Sequence, residues 1–522
     1  MVLRYDALIN EIESKISTDS IKYQGESIWP LIRVMILYQG LGAQASSSSD
    51  NNDNFLQRKS WKAKAGDILL SYQLYQQQKA QYIAFLEQEK KVIQGDIQGN
   101  AILKKTDFLF LHYQSHRNQL YQGKYCNIFL HPLLDEIEKN FSCLSLEVDE
   151  NPSSLKMPRY SSSFLIGGKI KKAELKLAKA NVRSKIRDFF IPFKQKKIEG
   201  FNELKALMPN ELKSTIFKNS SYIIKQFEYV KAYSKVFEAL LDEVRPKVML
   251  QASFYHLMGL AMNRACALRN VRSVDVQHGI LEPMAYAGYR KYGTANFTML
   301  PSFFWLWDKD SENVIKQWSA TQNNYVVGGN VWLNKKMDNM PVYDTSLSIL
   351  KELRLKYKVL VLFTVQPNEF SALPQFLFQI IKQLTDVMWL IRWHPRNTPV
   401  DKENFISDLK SAGCENFSVD GPSELPLSIV VPLIDFHVTK FSSVVFDAAR
   451  YNVPTIFIDE YAKDIYSKEY PVLWNSGIVQ LATDSKVFER VLKDKNLKRT
   501  FDSSTYFGDS NYQSAIQKML RA

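Results

Sequence analysis

Short, continuous apolar runs alternate with longer amphipathic stretches along this chain, and that alternation predicts parallel β-α-β units. The clearest unit is a strand from Val248 to Gln251, a helix with an apolar face from His256 to Leu268, and a second strand from Val271 to Val276 that stops at Gln277-His278-Gly279. The second half repeats the pattern with a strand from Lys358 to Phe363, a helix from Leu373 to Leu384, and a strand from Val387 to Trp393 that ends in His394-Pro395-Arg396. Ligands of parallel sheets sit at the carboxyl ends of strands, so both histidines are placed where chemistry occurs. Gly279 lets backbone approach a ligand there.

The first convincing strand is Asp107 to His112, apolar throughout as suits a sheet covered on both faces. A polar loop through Gln114-Ser-His-Arg117 and Gly123-Lys-Tyr125 leads to a helix opening at His131 and a strand from Ser142 to Val148. Residues 200–244 read as helical, Thr298 to Trp307 contains a strand, and a helix lies near Asp310 to Trp318. Gly328-Gly329-Asn330 closes this first unit as a hinge, and 334–344 reads as a linker. From Ser346 the alternation continues with Asn416 to Val419, a short helix at Pro426 to Ile429, strands 434–438 and 455–458, and helices 443–451 and 486–493. Ala515 to Arg521 is a terminal helix able to cross back. At the other end, residues 1–42 and 61–94 are helical, separated by a flexible Ser/Asn/Asp-rich run at 43–54.

The expected fold class is therefore α/β. It comprises a helical region over 1–105, a Rossmann-like domain over 106–332, a second over 345–500 and a tail over 501–522. A length of 522 residues with 45% hydrophobic content supports two or three cores.

Charge adds a partner. The net charge is +13, and residues 169–197 hold eleven Lys or Arg against Glu174 and Asp188, around Phe189-Phe-Ile-Pro-Phe193. That composition suits an anionic membrane surface, or equally a solvated basic helix whose aromatics pack on the domain. Nucleic acid is disfavoured, because the basic residues are concentrated in one segment and no RRM, KH, zinc or helix-turn-helix signature is visible. The four scattered cysteines point to a reducing compartment, and Met-Val-Leu-Arg-Tyr-Asp is not a signal peptide. The apolar stretch Ile28 to Leu41, interrupted by Pro30 and Arg33, is too short to span a bilayer, so a cytoplasmic protein is expected.

Phe436 to Arg450 reads as a strand followed by Ser442-Ser443 capping a helix whose free N–H groups face an anion. His394 is positioned to donate to a phosphate and Arg396 to pair with one bidentately. No GxxxxGK[ST] follows any strand. His278 is a candidate general base or donor to substrate oxygens, Glu282 its orienter or the base itself, and Asp275 a third candidate whose side chain faces either the cleft or the helices. Arg117 is expected to face the same cleft, with Gln277 and Tyr286 beside the acceptor.

Gln277-His278-Gly279 after a β-α-β unit, His394-Pro395-Arg396, and the block Ser442-Ser443…Ala448…Pro454 resemble bacterial surface-polysaccharide glycosyltransferases of GT-B fold. Capsule Kdo transferases, polysialyltransferases and CDP-glycerol glycerophosphotransferases carry the same marks, and the resemblance spans roughly residues 105–500. It implies two Rossmann-like domains across a cleft, the second binding a nucleotide donor through His394 and Ser442 or Ser443, with His278 beside the reacting carbon. It also implies a cytidine nucleotide sugar and a lipid-linked or growing saccharide of O-antigen or capsule as partners. Asp447 stands where such proteins often carry Glu, which bears on a ribose contact, and Asn452 stands where Gly is usual. No cofactor or metal is expected, since no DxD pair or His cluster is evident and Arg396, Lys440 and the helix N-terminus can stabilise a leaving phosphate. The alternatives are a polyol-phosphate transferase of the same fold, and a non-catalytic basic protein that binds nucleic acid or membrane.

Overall fold

The computed structural model describes residues 5–42, 61–95, 101–149, 151–152, 155–190, 197–279, 281, 297–318, 324–334, 343–366, 373–394, 397–494, 501–507 and 512–521. Two parallel sheets organise them. The strands of the first are β1 (Phe108–Tyr113), β4 (Cys143–Val148), β5 (Phe164–Leu165), β6 (Val248–Gln251), β7 (Arg272–Val276), β8 (Phe303–Leu306) and β9 (Tyr325–Val327). An antiparallel hairpin of β2 (Arg117–Tyr121) and β3 (Lys124–Asn127) interrupts the sequence between β1 and β4. The spatial order is β9-β8-β7-β6-β1-β4-β5, parallel at every pairing. All six residues of β1 are buried, which is why the run carries no polar alternation.

The second sheet is built from β10 (Val359–Val365), β11 (Val387–Trp393), β12 (Phe417–Ser418), β13 (Phe436–Thr439), β14 (Thr455–Phe457) and β15 (Val479–Leu481), in the parallel order β12-β11-β10-β13-β14-β15. Both sheets wind outward in two directions from their first strand. Each therefore has a crevice at the carboxyl edge, between β1 and β6 in one and between β10 and β13 in the other. This is the two-domain α/β architecture expected of a GT-B fold, and the helical N-terminal region is present.

Helices α1 (Tyr5–Lys15) and α2 (Trp29–Gly42) contribute Ile9, Ile12, Leu31, Ile32 and Ile36 to the first domain's core. Buried Arg33 pairs with Glu13 at 3.1 Å, and Trp29 Nε1 donates to Glu13 at 3.0 Å. Helix α3 (Trp61–Gly95) runs unbroken for 35 residues and lies against α5 (Gly167–Phe190), with α4 (His131–Ile137) between them in sequence. The inward positions of α3, Ser71, Tyr75, Gln78, Tyr82, Phe85 and Glu89, recur every three or four residues. Helix α6 (Tyr512–Arg521) packs Ala515, Ile516 and Met519 into the apolar cluster of Phe108, Phe110 and Trp305.

The start of α5 is held by two carboxyls. Asp149 accepts from the Gly167 N–H at 2.8 Å and Glu89 from the Gly168 N–H at 3.1 Å, at the positive end of the helix dipole. A Cβ at Gly167 would lie 2.4 Å from the Asp149 carboxyl oxygen, so the approach requires glycine. Burial, reinforced by Glu89, pushes Asp149 up to about 8. The proton therefore favours the folded state: this contribution is complete below the unfolded value of about 4 and is lost as pH rises through about 8. Asp149→Asn should remove that dependence, so the difference in melting temperature between wild type and variant should slope downward from pH 4 to 8. A flat difference across this window would refute the assignment.

The glycine pair expected to act as a hinge is closely packed. A Cβ at Gly328 would lie 2.1 Å from the Trp305 ring, and Trp305 Nε1 donates to the Gly329 carbonyl at 2.9 Å.

Candidate functional site

The carboxyl edges of the two sheets meet. Phe129, at the foot of α4, stacks edge-on against both His116 and His278 at 5.7 Å. The same ring packs on the apolar cluster of Trp307, Phe446, Tyr466 and Tyr470, to which Phe441 also belongs. Trp307 follows β8 in the first domain, and its ring lies 6.2 Å from that of Phe446 in the second. Leu281 donates its N–H to Tyr470 Oη at 2.5 Å, and Asp310 accepts the N–H groups of Val472 at 3.3 Å and Leu473 at 3.1 Å. On the other flank, the β2–β3 hairpin packs Tyr121 and Cys126 with Trp332, Tyr343 and Leu350.

On the first edge, His278 Nε2 lies 2.7 Å from Tyr255 Oη, and the ring also hydrogen-bonds to the Val276 backbone. Burial, and then the His116 ring 6.1 Å away, lower its pKa to about 3. The imidazole is thus neutral at physiological pH. His116 and His256 are lowered to about 4, chiefly by burial. His256 is the N-cap of the helix Leu257–Leu268, accepting from Gly259 N–H at 3.3 Å. A Cβ at Gly259 would collide with the Phe254 carbonyl at 2.3 Å, and Ser253 adopts φ 68°, so the turn carrying Tyr255 is tightly folded.

Asp275 secures that turn. It is fully buried, accepts the Phe254 N–H at 3.1 Å, and is pushed well above the usual carboxylate range by burial. Its side chain faces the turn rather than the cleft, which makes it a positioning residue for Tyr255 and, through it, for His278. Gln277 is likewise buried. It accepts from Trp307 N–H at 2.7 Å and donates to Gly279 O and Ser311 Oγ, both at 3.0 Å, bracing the edge between β7 and β8. Among the described residues, nothing lies within 4 Å of a Cβ placed at Gly279.

Arg117 does not face the cleft. Its guanidinium is buried beneath the hairpin, 2.7 Å from Glu147 and 2.8 Å from the Lys156 carbonyl. A charge this far from water needs a buried counter-charge, and Glu147 on β4 supplies it. Glu282, Tyr286 and Arg396 lie outside the described residues.

On the second edge, the backbone of His394 is pinned to the end of β10. Its N–H donates to Asn397 Oδ1 at 2.8 Å, and Asn397 Nδ2 donates to the Gln366 carbonyl at 3.3 Å. Lys440 follows β13 and is half-buried; burial lowers its pKa, and Asp459 opposes that. The helix after it, Val444–Arg450, has Ser443 at its N-cap without a side-chain cap bond, while Ser442 Oγ accepts the Val444 N–H at 3.3 Å. Capping therefore falls to Ser442 alone. Burial pushes Asp447 up to about 7, opposed by Arg392, whose guanidinium also donates to the Leu425 carbonyl at 2.7 Å. His394, Lys440, Ser442 and Ser443 thus line one sheet edge, with Asp447 one turn further in. Among the described residues, no group of three or more His, Cys, Asp or Glu is placed to hold a metal ion.

Tyr255, His116 and Phe129 join the site only in the folded chain. The only available signal was the aromatic run Phe254-Tyr255-His256 directly after a buried strand.

Fold and site together define a two-domain α/β protein whose facing sheet edges carry neutral histidines on one side and a lysine, a histidine and hydroxyls on the other. No protein-family model matches the chain, and no curated protein sequence matches it. Solved structures do. A UDP-GlcNAc 2-epimerase from Neisseria meningitidis bound to UDP-GlcNAc is similar over 79% of this chain and 99% of its own, at 14% identity and a TM-score of 0.48. The UDP-GlcNAc 2-epimerase from Methanocaldococcus jannaschii gives 14% identity and 0.46 over the same shares. The wall teichoic acid polymerase TagF gives 12% identity and 0.42, over 85% of this chain and 96% of its own. At such identities the chemistry rests on the residues described above.

Proposed function

We propose that this protein is a GT-B glycosyltransferase that moves a sugar from a nucleotide donor, with a cytidine nucleotide favoured, to a hydroxyl of a lipid-linked or growing surface saccharide. The observation that carries the proposal is the convergence of the two sheet edges around Phe129, which sets the His278–Tyr255 pair against the side bearing His394, Lys440, Ser442 and Ser443. In this reading the donor phosphates lie against Lys440 and the serine hydroxyls. An anion there offsets the desolvation that lowers the lysine's pKa, since an opposite charge favours the ammonium.

The acceptor oxygen attacks the anomeric carbon, the bond from that carbon to the phosphate oxygen breaks, and the nucleotide leaves with the electron pair. The acceptor proton passes to His278 Nε2, directly or by way of Tyr255, which occupies that nitrogen in the described state.

The test is a thermal-shift screen of the purified protein against CMP, CDP, UDP, UMP, GDP and ADP. A nucleotide at ~100 times its dissociation constant should stabilise the fold by about 2.7 kcal/mol, and Lys440→Ala or His394→Ala should abolish the shift. If no nucleotide shifts the melting temperature, the donor reading fails.

A further inference from the structure

Helices α3 and α5 form an antiparallel pair. Phe85 and Glu89, late in α3, meet Gly167 and Gly168 at the start of α5. Gln78, two turns earlier in α3, shares Tyr229 with Glu174 of α5. The 24 residues of α5 extend about 36 Å from that anchor.

Two properties of the pair are unusual together. The outer face of α5 carries Lys172, Lys176, Lys179, Arg183 and Arg187, all exposed and spaced three or four residues apart, so that they form a single stripe. Over residues 65–78 of α3, between Lys64 and Lys79, Asp67 is the single charge, and Leu69, Leu70, Leu74 and Tyr72 are 58%, 53%, 50% and 48% exposed. Solvated helical hairpins cover such positions with charged residues; here large side chains remain in water.

We propose that the α3–α5 pair is a docking surface for an anionic lipid bilayer, with the α5 stripe meeting headgroups and the α3 leucines entering the interface. The charge of the stripe complements phosphate headgroups. The exposed leucines decide between lipid and nucleic acid, because a phosphodiester chain offers them no apolar medium. Among the described residues no helix is long and apolar enough to cross a membrane, so attachment here is to the surface. The surface uses residues separate from the candidate site, and its test does not depend on the donor.

The experiment is co-sedimentation of the full chain with vesicles of phosphatidylcholine alone or mixed with phosphatidylglycerol. Wild type should bind the mixed vesicles and lose binding as salt rises. Each Lys or Arg at such a surface contributes about fivefold, so reversing Lys176, Lys179, Arg183 and Arg187 to Glu should weaken binding by on the order of 100-fold or more. Leu69, Leu70 and Leu74 replaced together by Ser should weaken it independently and leave a salt-dependent residue. All seven positions are exposed, and unchanged circular dichroism confirms the fold of each variant. Should the charge variant misfold, the leucine variant and the salt titration still decide. The proposal is overturned if wild type ignores the mixed vesicles, or if the leucine variant binds them as well as wild type, an outcome that would mark the stripe as a site for polyanions in general.

Discussion

Glu147→Ala should lower the stability of the first domain by about 3–5 kcal/mol and its melting temperature by roughly 6–20 °C. Glu147 Oε1 takes Arg117 Nε at 2.7 Å, and Oε2 lies 3.7 Å from Arg159 Nη1 and accepts from Ser163 Oγ at 2.8 Å. All three charged side chains are at most 2% exposed. Removing the carboxylate takes the Glu147 counter-charge from two buried guanidiniums, and that loss, more than the lost hydrogen bonds, sets the size of the effect. Arg159 keeps its bonds to Ser163 and Arg117 its bond to the Lys156 carbonyl, so the domain should remain folded at low temperature. Calorimetry of the purified variant decides; melting within ~2 °C of wild type, less than 1 kcal/mol for a domain of this size, would show that the triad is not the buried charge centre described.

The second large effect is catalytic. With a donor found by the nucleotide screen, His278→Ala should reduce turnover by about 10²–10⁴-fold, the usual contribution of a positioned general base. Tyr255→Phe should cost less, since the imidazole stays in place and loses only the hydroxyl held at 2.7 Å. The pH profile separates base from bystander. Burial holds His278 near 3, so the neutral form persists far below the usual imidazole value, and the group should produce no acid limb near 6.5 in kcat/KM. Full activity in the alanine variant would remove His278 from the base role, whereas an acid limb near 6.5 would show that burial does not hold the imidazole near 3.

The α/β class was legible because its cause is local. A strand covered on both faces must be apolar at every position, so Phe108–Tyr113, Val248–Gln251 and Val387–Trp393 announce themselves without their neighbours. Helical spacing in Leu257–Leu268 marks a crossover in the same way. Together these features placed His278 and His394 at carboxyl edges.

The short antiparallel hairpin at 117–127 has the sequence of a polar loop, because its partner surface around Tyr343 lies more than two hundred residues away. The fate of each polar side chain was equally out of reach. Arg117 was expected in the cleft and is instead buried against Glu147, thirty residues on; Asp275 turned inward to hold the Phe254 N–H; Tyr255 came to His278 across a helix and a strand. The sequence by itself determined the long buried strands and the helices that cross between them, since apolar periodicity is written within a few residues. Only the tertiary structure decided which polar groups are buried, whom they pair with and which way their pKa values move. Desolvation and hydrogen bonding depend on atoms that the chain brings together from far apart.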